Sequence, residues 1–280
     1  MVDLHTHSVF SDGTDTPEEL VALAQQAQLQ AVAVCDHNSV HGLPRFLAAA
    51  RESTVEAVAG VEFSTEYAGT ELHILGLFLP EQSYEKVTEI TNAFHAAKKE
   101  SNYLLVRRLA QNGYAVSVSE LEARTQGRYI NRAHIGALLT EKGYTQSIQQ
   151  AFKTLLGEKC GLYVPPKRPS AFTIIEEIRK MHAVPVLAHP FLNLDEAALR
   201  LFLGRAVEHG LVGMETYYPL YDPTKTALAL DIAAHYNLAQ SGGSDYHGKN
   251  KPHIAMGTGM DNLRIEDAVY YRLREISKQM

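Results

Sequence analysis

The sequence predicts an α/β fold in which seven short strands, most followed by a helix, carry an all-helical insertion between the fourth and fifth. Two observations predict it. Toward both ends of the chain, apolar runs of strand length alternate with amphipathic runs of helix length. Between them, from about Ser83 to Gly157, the pattern is helical with no clear strand. Alternating strands and helices imply a parallel sheet with helices outside it. Seven such units suggest a closed or nearly closed barrel, with an open doubly wound sheet as the alternative.

The elements follow in order. "VDLH" is the first strand and "TPEELVALAQQAQL" the first helix. There Thr16 suits the N-cap, Pro17 the first helical position, and Glu19 completes a capping box. "QAVAVCD" is a strand and "GLPRFLAAARE" a helix; "VEAVAGVEFS" and "TELHILGLFL" are strands three and four. The insertion opens with "SYEKVTEITNAFHAAKKESNYLLVRRLAQNG", one long helix or two, ended by Asn112 and Gly113 as a C-cap. "NRAHIGALLTEKG" and "SIQQAFKTLLG" are shorter helices. After the Pro-rich "YVPPKRPS" the alternation resumes. Helix "SAFTIIEEIRKMHA" precedes strand "VPVLAHP", helix "DEAALRLFLGRAVEHG" precedes strand "LVGMET", and helix "DPTKTALALDIAAHYN" precedes strand "LAQSGGSD". A final helix follows Met260. Residues 1–82 and 165–280 thus form the strand-bearing domain and 83–164 the helical insertion.

With 280 residues, 45% of them hydrophobic, the chain has ample length for a core. A net charge of −6 argues against a surface that binds nucleic acid as a whole, though a small basic pocket remains open. Cys35 and Cys160 lie far apart and form no CxxC pair. That gives neither a disulfide framework nor a zinc ribbon and suits a reducing cytosol. No signal segment or membrane-length apolar run is present, so the expectation is a cytoplasmic protein with no membrane partner.

The 13 histidines matter by position. In a parallel α/β barrel the site lies at the C-terminal strand ends. There the sequence places His5, His7 and Asp12 after strand one, Asp36 and His37 after strand two, and Glu62 at the end of strand three. His73 lies within strand four, His189 follows strand five, Glu215 ends strand six, and Asp245 and His247 follow strand seven. His5 and His7, two apart on an extended chain, face one side. Any one of these alone is as easily a polar turn residue, and Asp12-Gly13 and "SGGSD" are ordinary turn chemistry. So many strand ends offering metal-type side chains point instead to a multinuclear metal site. Imidazole mixed with carboxylate suits Mn, Zn or Fe without choosing among them. His95, His182, His209 and His235 fall in or near helices and read as structural, while His41 and His253 stay unassigned.

The motifs "DLHTHSVFSDGT", "VCDHNSVHG", "GVEFSTEYAGTELHILG", "LAHP" and "SGGSDYHG", in that order, resemble the PHP superfamily, named for polymerase and histidinol phosphatase. The nearest branch is the stand-alone phosphoesterases with a small inserted helical domain. The resemblance implies a distorted (β/α)7 barrel and two or three divalent ions. His5, His7, Glu62 and Asp245 would surround one ion. Glu62 would bridge to a second, held also by His73 and His189. Asp12, His37 and His247 would hold a third, which is not always filled in the family. Asp36 would support its neighbour His37 from behind, and Glu215 matches a glutamate common in the branch without being assigned to an ion. The implied reaction is release of phosphate from a small phosphorylated nucleotide, a nucleoside 3′,5′-bisphosphate foremost, by attack of a metal-bound hydroxide. Ions that share a carboxylate bring a bridging water near deprotonation at neutral pH. Three carboxylates leave such ions net positive, which favours an anionic phosphate ester over a neutral amide.

A second phosphate needs its own grip, and the insertion offers "GRYINRAHIG". If Asn131 caps a helix, Arg132 and His134 occupy its first turn, where free N–H groups and the dipole favour anions. The plainer alternative is a solvated basic helix start. Lys167 and Arg168 are weaker candidates. Other readings kept open are a 5′–3′ exonuclease on short RNA, a histidinol-phosphatase-like or other metal-dependent hydrolase, and a metal-binding barrel without turnover. The expected partners are a small phosphorylated substrate or short oligonucleotides.

Overall fold

The computed structural model describes residues 1–125 and 130–280. The chain divides into two compact units, one of Met1–Glu89 with Arg168–Met280 and one of Ile90–Lys167.

The first unit is built on one seven-stranded sheet in sequential order. Its strands are β1 Val2–Thr6, β2 Ala31–Val34, β3 Glu56–Tyr67, β4 Thr70–Leu77, β5 Val184–Leu187, β6 Gly213–Tyr217 and β7 Ala239–Gly242. The chain just past β7 returns to β1. His7 N donates to Tyr246 O at 2.9 Å and Asp245 N to His5 O at 2.9 Å, so the sheet nearly closes on itself. Val2, Leu4, Ala31, Ala33, Leu75, Val184 and Val186 are buried in one apolar cluster with Ile265 and Leu273 from beyond β7. Strands covered on both faces read as unbroken apolar runs, which is why the sequence pattern finds them.

One expectation needs correction. The sheet is not parallel throughout, because β4 runs antiparallel to both β3 and β5. The cause is local. Ala68 and Gly69, with φ of 49° and 79°, make a two-residue turn in the left-handed region, the geometry that folds one strand back on the last. The reversal has a consequence for the site. His73 lies near the start of β4 and pairs with Ser64 near the end of β3. It therefore reaches the same end of the barrel as the C-termini of the parallel strands.

Around the sheet lie α1 Pro17–Gln26 and α2 Leu43–Ala50. The capping box at Thr16 is formed, with Glu19 N donating to Thr16 Oγ1 and Thr16 N to Glu19 Oε2. α3, Tyr84–Gln111, is one unbroken helix of 28 residues; Asn112 Nδ2 donates back to Arg108 O, and Gly113 takes a φ of 87° past its end. Within the second unit follow α4 Val118–Thr125, α5 Arg132–Glu141 and α6 Ile148–Ala151. The helix expected over "SIQQAFKTLLG" is α-helical only in α6 and widens into a π turn over Phe152–Leu156. Leu105, Leu109, Leu121, Ile135, Leu138 and Leu156 form this unit's own core. The first unit is completed by α7 Ala171–Lys180, α8 Glu196–Ala206, α9 Pro223–His235 and α10 Asp267–Ser277. Among the described residues, no helix is long and apolar enough to cross a membrane.

Candidate metal centre

Glu62, just past the stretch of β3 that pairs with β2 and opposite Leu75 of β4, is completely buried. Five imidazoles surround its carboxylate. His73 Nδ1 and His189 Nε2 lie 2.7 and 3.0 Å from Oε1. His37 Nδ1, His5 Nε2 and His7 Nε2 lie 3.1, 3.2 and 3.2 Å from Oε2. Asp245 adds Oδ1 at 3.2 Å from His7 Nε2. Asp12 adds Oδ1 at 3.2 Å from His247 Nε2. All the residues expected as ligands from strand ends therefore meet in one place.

The donor atoms fall into three overlapping groups, each with its atoms within 4.8 Å of one another: His7, Asp12, His37 and His247; His5, His7 and Asp245; and His37, Glu62 and His73. The partition differs from the one the resemblance implies. His7 and His37 each belong to two groups, and His189 joins through Glu62 alone. Two features fit this cluster to divalent cations. The Nε2 atoms of His5 and His7 face each other at 3.1 Å, as two lone pairs aimed at a common point would. Among the described residues, Asp12 Oδ1, His37 Nδ1 and Glu62 Oε2 are buried polar atoms with no hydrogen-bond partner. An orphaned buried acceptor is costly, and a cation between these atoms removes the cost.

Behind these residues stands a second layer that fixes their orientation. Glu215, fully buried, places Oε1 2.9 Å from His5 Nδ1 and accepts from His189 N through Oε2 at 2.6 Å. That holds His5 with Nε2 toward the centre. His247 Nδ1 lies 2.7 Å from the Asp245 carbonyl. Glu71 Oε1 lies 3.3 Å from His73 Nε2, and its Oε2 takes Arg168 Nη2 at 2.6 Å. Asp36 accepts from Ser8 N and Oγ and from Ser11 Oγ at 2.6–2.7 Å. Its carboxylate thus braces the loop that joins His7 to Asp12, a different task from the support of His37 expected for it. Asp3 does the same across the closure, accepting from Ser244 N and Oγ and from Gly257 N. His189 and Asp245 hold positive φ, 27° and 55°, a conformation such residues keep only where their surroundings demand it.

Buried charge shapes the titration of the metal-free cluster. Burial works against a proton on His7, but Asp245 and Glu62 beside it outweigh that and raise it to about 9. Burial likewise opposes His73, and Glu62 and Glu71 lift it to about 10. For His37 burial prevails over Glu62 and Asp12, lowering it to about 3.

The other expected residues lie elsewhere. Arg132 and His134 open α5, with Asn131 as N-cap: Asn131 Oδ1 accepts from His134 N at 3.0 Å, and His134 Nδ1 accepts from Asn131 N at 3.2 Å. The Arg132 guanidinium sits 4.1 Å from the Tyr163 ring centroid and donates to Leu156 O. Residues 127–129 of the same motif lie outside the described residues. Lys167 is exposed. His41 and His253 are exposed; His209 pairs with Glu176, and His182 with the Met280 carbonyl. Sequence reasoning passed over Asp3, Ser8, Ser11, Glu71, Tyr218 and Lys251. Glu71 and Asp3 carried a signal, since each lies two residues before a histidine, His73 and His5, on the same strand and so faces the same side.

Residues 3–163 match the PHP domain. The chain belongs to the PHP domain family. Among PHP relatives, a phosphoribosyl 1,2-cyclic phosphate 1,2-diphosphodiesterase from Eggerthella lenta is 30% identical over 90% of this chain and 97% of its own length. A 5′–3′ exoribonuclease from Haemophilus influenzae is 29% identical over 88% of this chain and 89% of its own. A 3′,5′-nucleoside bisphosphate phosphatase from Chromobacterium violaceum is 26% identical over 88% of this chain and 87% of its own. The crystal structure of a Bifidobacterium adolescentis protein described as a metal-dependent phosphoesterase superposes with a TM-score of 0.84 and 27% identity, covering 97% of this chain and 94% of that one. The PHP protein described here is accordingly an enzyme, a metal-dependent phosphoesterase with the barrel its sequence pattern implied.

Proposed function

We propose that this enzyme releases phosphate from a small phosphorylated nucleotide, a nucleoside 3′,5′-bisphosphate, and that His5, His7, Asp12, His37, Glu62, His73, His189, Asp245 and His247 hold the two or three divalent ions it uses. The observation that carries the reading is the meeting of three carboxylates and six imidazoles at one barrel end, with buried donor atoms left unpartnered. Bound there, Mn, Zn or Fe supplies Lewis-acid stabilisation of phosphoryl charge and activation of water. The chain's own residues do the rest. Glu62 draws five imidazoles into one cluster. Glu215 and Glu71 fix the orientation of His5 and His73, and Asp36 and Asp3 hold the loops that carry Asp12 and Asp245.

The choice of a bisphosphate rests on Arg132 and His134 at the N-terminus of α5, which suit a second phosphate, and on the bisphosphate phosphatase among the relatives. Lys167 is a further candidate for that phosphate. A second reading, phosphodiester cleavage in short RNA or a cyclic phosphate, is favoured by the slightly higher identity of the relatives named for those reactions.

The deciding assay compares a 3′,5′-bisphosphate, a nucleoside monophosphate, histidinol phosphate, a 4-mer RNA and a ribosyl cyclic phosphate with Mn2+ present. Preference for the bisphosphate is expected. Arg132→Ala is expected to lose far more activity on it than on an aryl phosphate. Stepwise mononucleotide release from the RNA, or opening of the cyclic ester, with no action on the bisphosphate, selects the second reading.

A further inference from the structure

We propose that Lys251 is a phosphoryl-binding residue: its ammonium, seated on the outer oxygen of Asp245, reaches the phosphate that the centre acts on. The inference rests on the reading of Asp245 as part of the metal centre. It goes beyond it by adding a cationic side chain of the barrel unit that the sequence pattern does not single out.

Asp245 divides its two oxygens between inside and outside. Oδ1 faces inward, 3.2 Å from His7 Nε2 and 3.8 Å from His5 Nε2. Oδ2 faces outward and takes two donors, Tyr218 OH at 2.7 Å and Lys251 Nζ at 2.7 Å. Lys251 is thus one carboxylate away from the cluster. Its place is set by the short turn Gly248–Asn250 that follows His247. That turn is itself tied to the site, since Asn250 Nδ2 donates to Asp12 O at 2.7 Å.

Three considerations argue that the ammonium faces substrate. The first is charge. A fixed cation beside a centre that holds divalent cations raises the energy of that centre unless an anion joins them. Asp12, Glu62 and Asp245 together offset three charges, so two or three divalent ions with the ammonium leave a net positive centre that a phosphate anion offsets. The second is valence. An ammonium has three donors; among the described residues, Lys251 Nζ meets Asp245 Oδ2 at 2.7 Å and, at the limit of bonding, the Asp245 carbonyl at 3.5 Å, which leaves a donor for a further acceptor. The third is access. The Asp245 side chain is 7% exposed and the Lys251 side chain 36%, so the lysine spans the boundary between the buried donors and the solvent from which substrate arrives. A brace for Asp245 needs no such exposure, and Tyr218, which is buried, already provides one.

The test uses the full chain loaded with Mn2+. Binding of inorganic phosphate is measured by calorimetry, metal content by mass spectrometry, and kcat and KM with an aryl phosphate. For Lys251→Met the expected result is phosphate binding weakened at least about tenfold and KM raised, with metal content at the wild-type level. Lys251→Arg, which keeps the charge, is expected to restore most of the phosphate affinity. Unchanged phosphate affinity in Lys251→Met at full metal content overturns the proposal while leaving the phosphoesterase intact. Metal loss in step with phosphate loss overturns it too and makes Lys251 a brace. A wild-type protein that binds no phosphate and cleaves no phosphate ester sinks the functional reading along with it.

Discussion

The carboxylate of Glu215 lies 2.9 Å from Nδ1 of His5, on the side of the ring turned away from Glu62. Its other oxygen accepts the backbone N–H of His189, so one buried side chain fixes two residues of the centre at once. Two donors require two acceptor oxygens, and glutamine offers one. Glu215→Gln is therefore expected to fold but to bind metal about 10–100-fold more weakly. Titration of the chelator-stripped protein with Mn2+ checks it; wild-type affinity would remove Glu215 from any supporting role.

Gly243 is needed for closeness. A Cβ there would stand 2.4 Å from His5 N and 2.8 Å from Asp3 Oδ1. The "SGGSD" stretch thus lets the chain after β7 press against β1, in addition to turning. Gly243→Ala is expected to cost about 1–3 kcal/mol and to lower metal content, because the shift moves the residues that carry His5 and Asp245. Urea unfolding together with metal analysis tests both halves. A variant as stable as wild type would show that β1 yields without cost.

Asp3 meets four donors: Ser244 N, Ser244 Oγ, Gly257 N and, more distantly at 3.4 Å, His5 N. An asparagine would turn an NH2 group toward one side of that ring of donors. Asp3→Asn should lower stability by about 3 kcal/mol through lost charged hydrogen bonds and an unsatisfied donor. A change in denaturation midpoint below the equivalent of about 1 kcal/mol would mean the network rearranges.

Protons and metal compete for the same nitrogens. In the metal-free protein His7 and His73 titrate near 9 and 10, above their ordinary 6.5. Raised pKa values stabilise the fold fully below about 6.5, and that contribution is lost as pH rises toward 9 and 10. Metal binding needs the neutral imidazoles and releases the protons. The gain in Tm on adding Mn2+ should therefore grow between pH 6.5 and 9. Scanning calorimetry with and without chelator measures it, and a gain independent of pH would contradict the linkage.

Most of the strands were legible because they are apolar runs bounded by turn residues, β7 with Gln240, Ser241 and Gly242 being an exception, and most of the ligand-type residues were legible because they sit where such strands end. The direction of β4 was not read. Ala68-Gly69 between "TEY" and "TEL" is the one local sign of a hairpin, and an alternation of strands and helices elsewhere suggested parallel pairing throughout. The supporting layer was least legible. Ser8, Ser11, Tyr218 and Lys251 are ordinary loop residues by type and gain meaning only from carboxylates that the fold brings to them. Asp36 shows the limit well, since sequence adjacency suggested His37 as its partner and the bent chain offers Ser8 and Ser11 instead.

The closure of β1 against the chain beyond β7 also orders events in time. His5 and Glu215 are 210 residues apart, and Asp3 and Ser244 241 apart, so the cluster assembles only when the most distant parts of the chain have met. Contacts of such separation form slowly, and a metal ion has no complete seat before they do. An interaction absent from the transition state slows unfolding and leaves the folding rate alone. Chelation should shorten the lifetime of the native protein without delaying its refolding, which makes the ion a lock on a finished barrel and not a nucleus for building one.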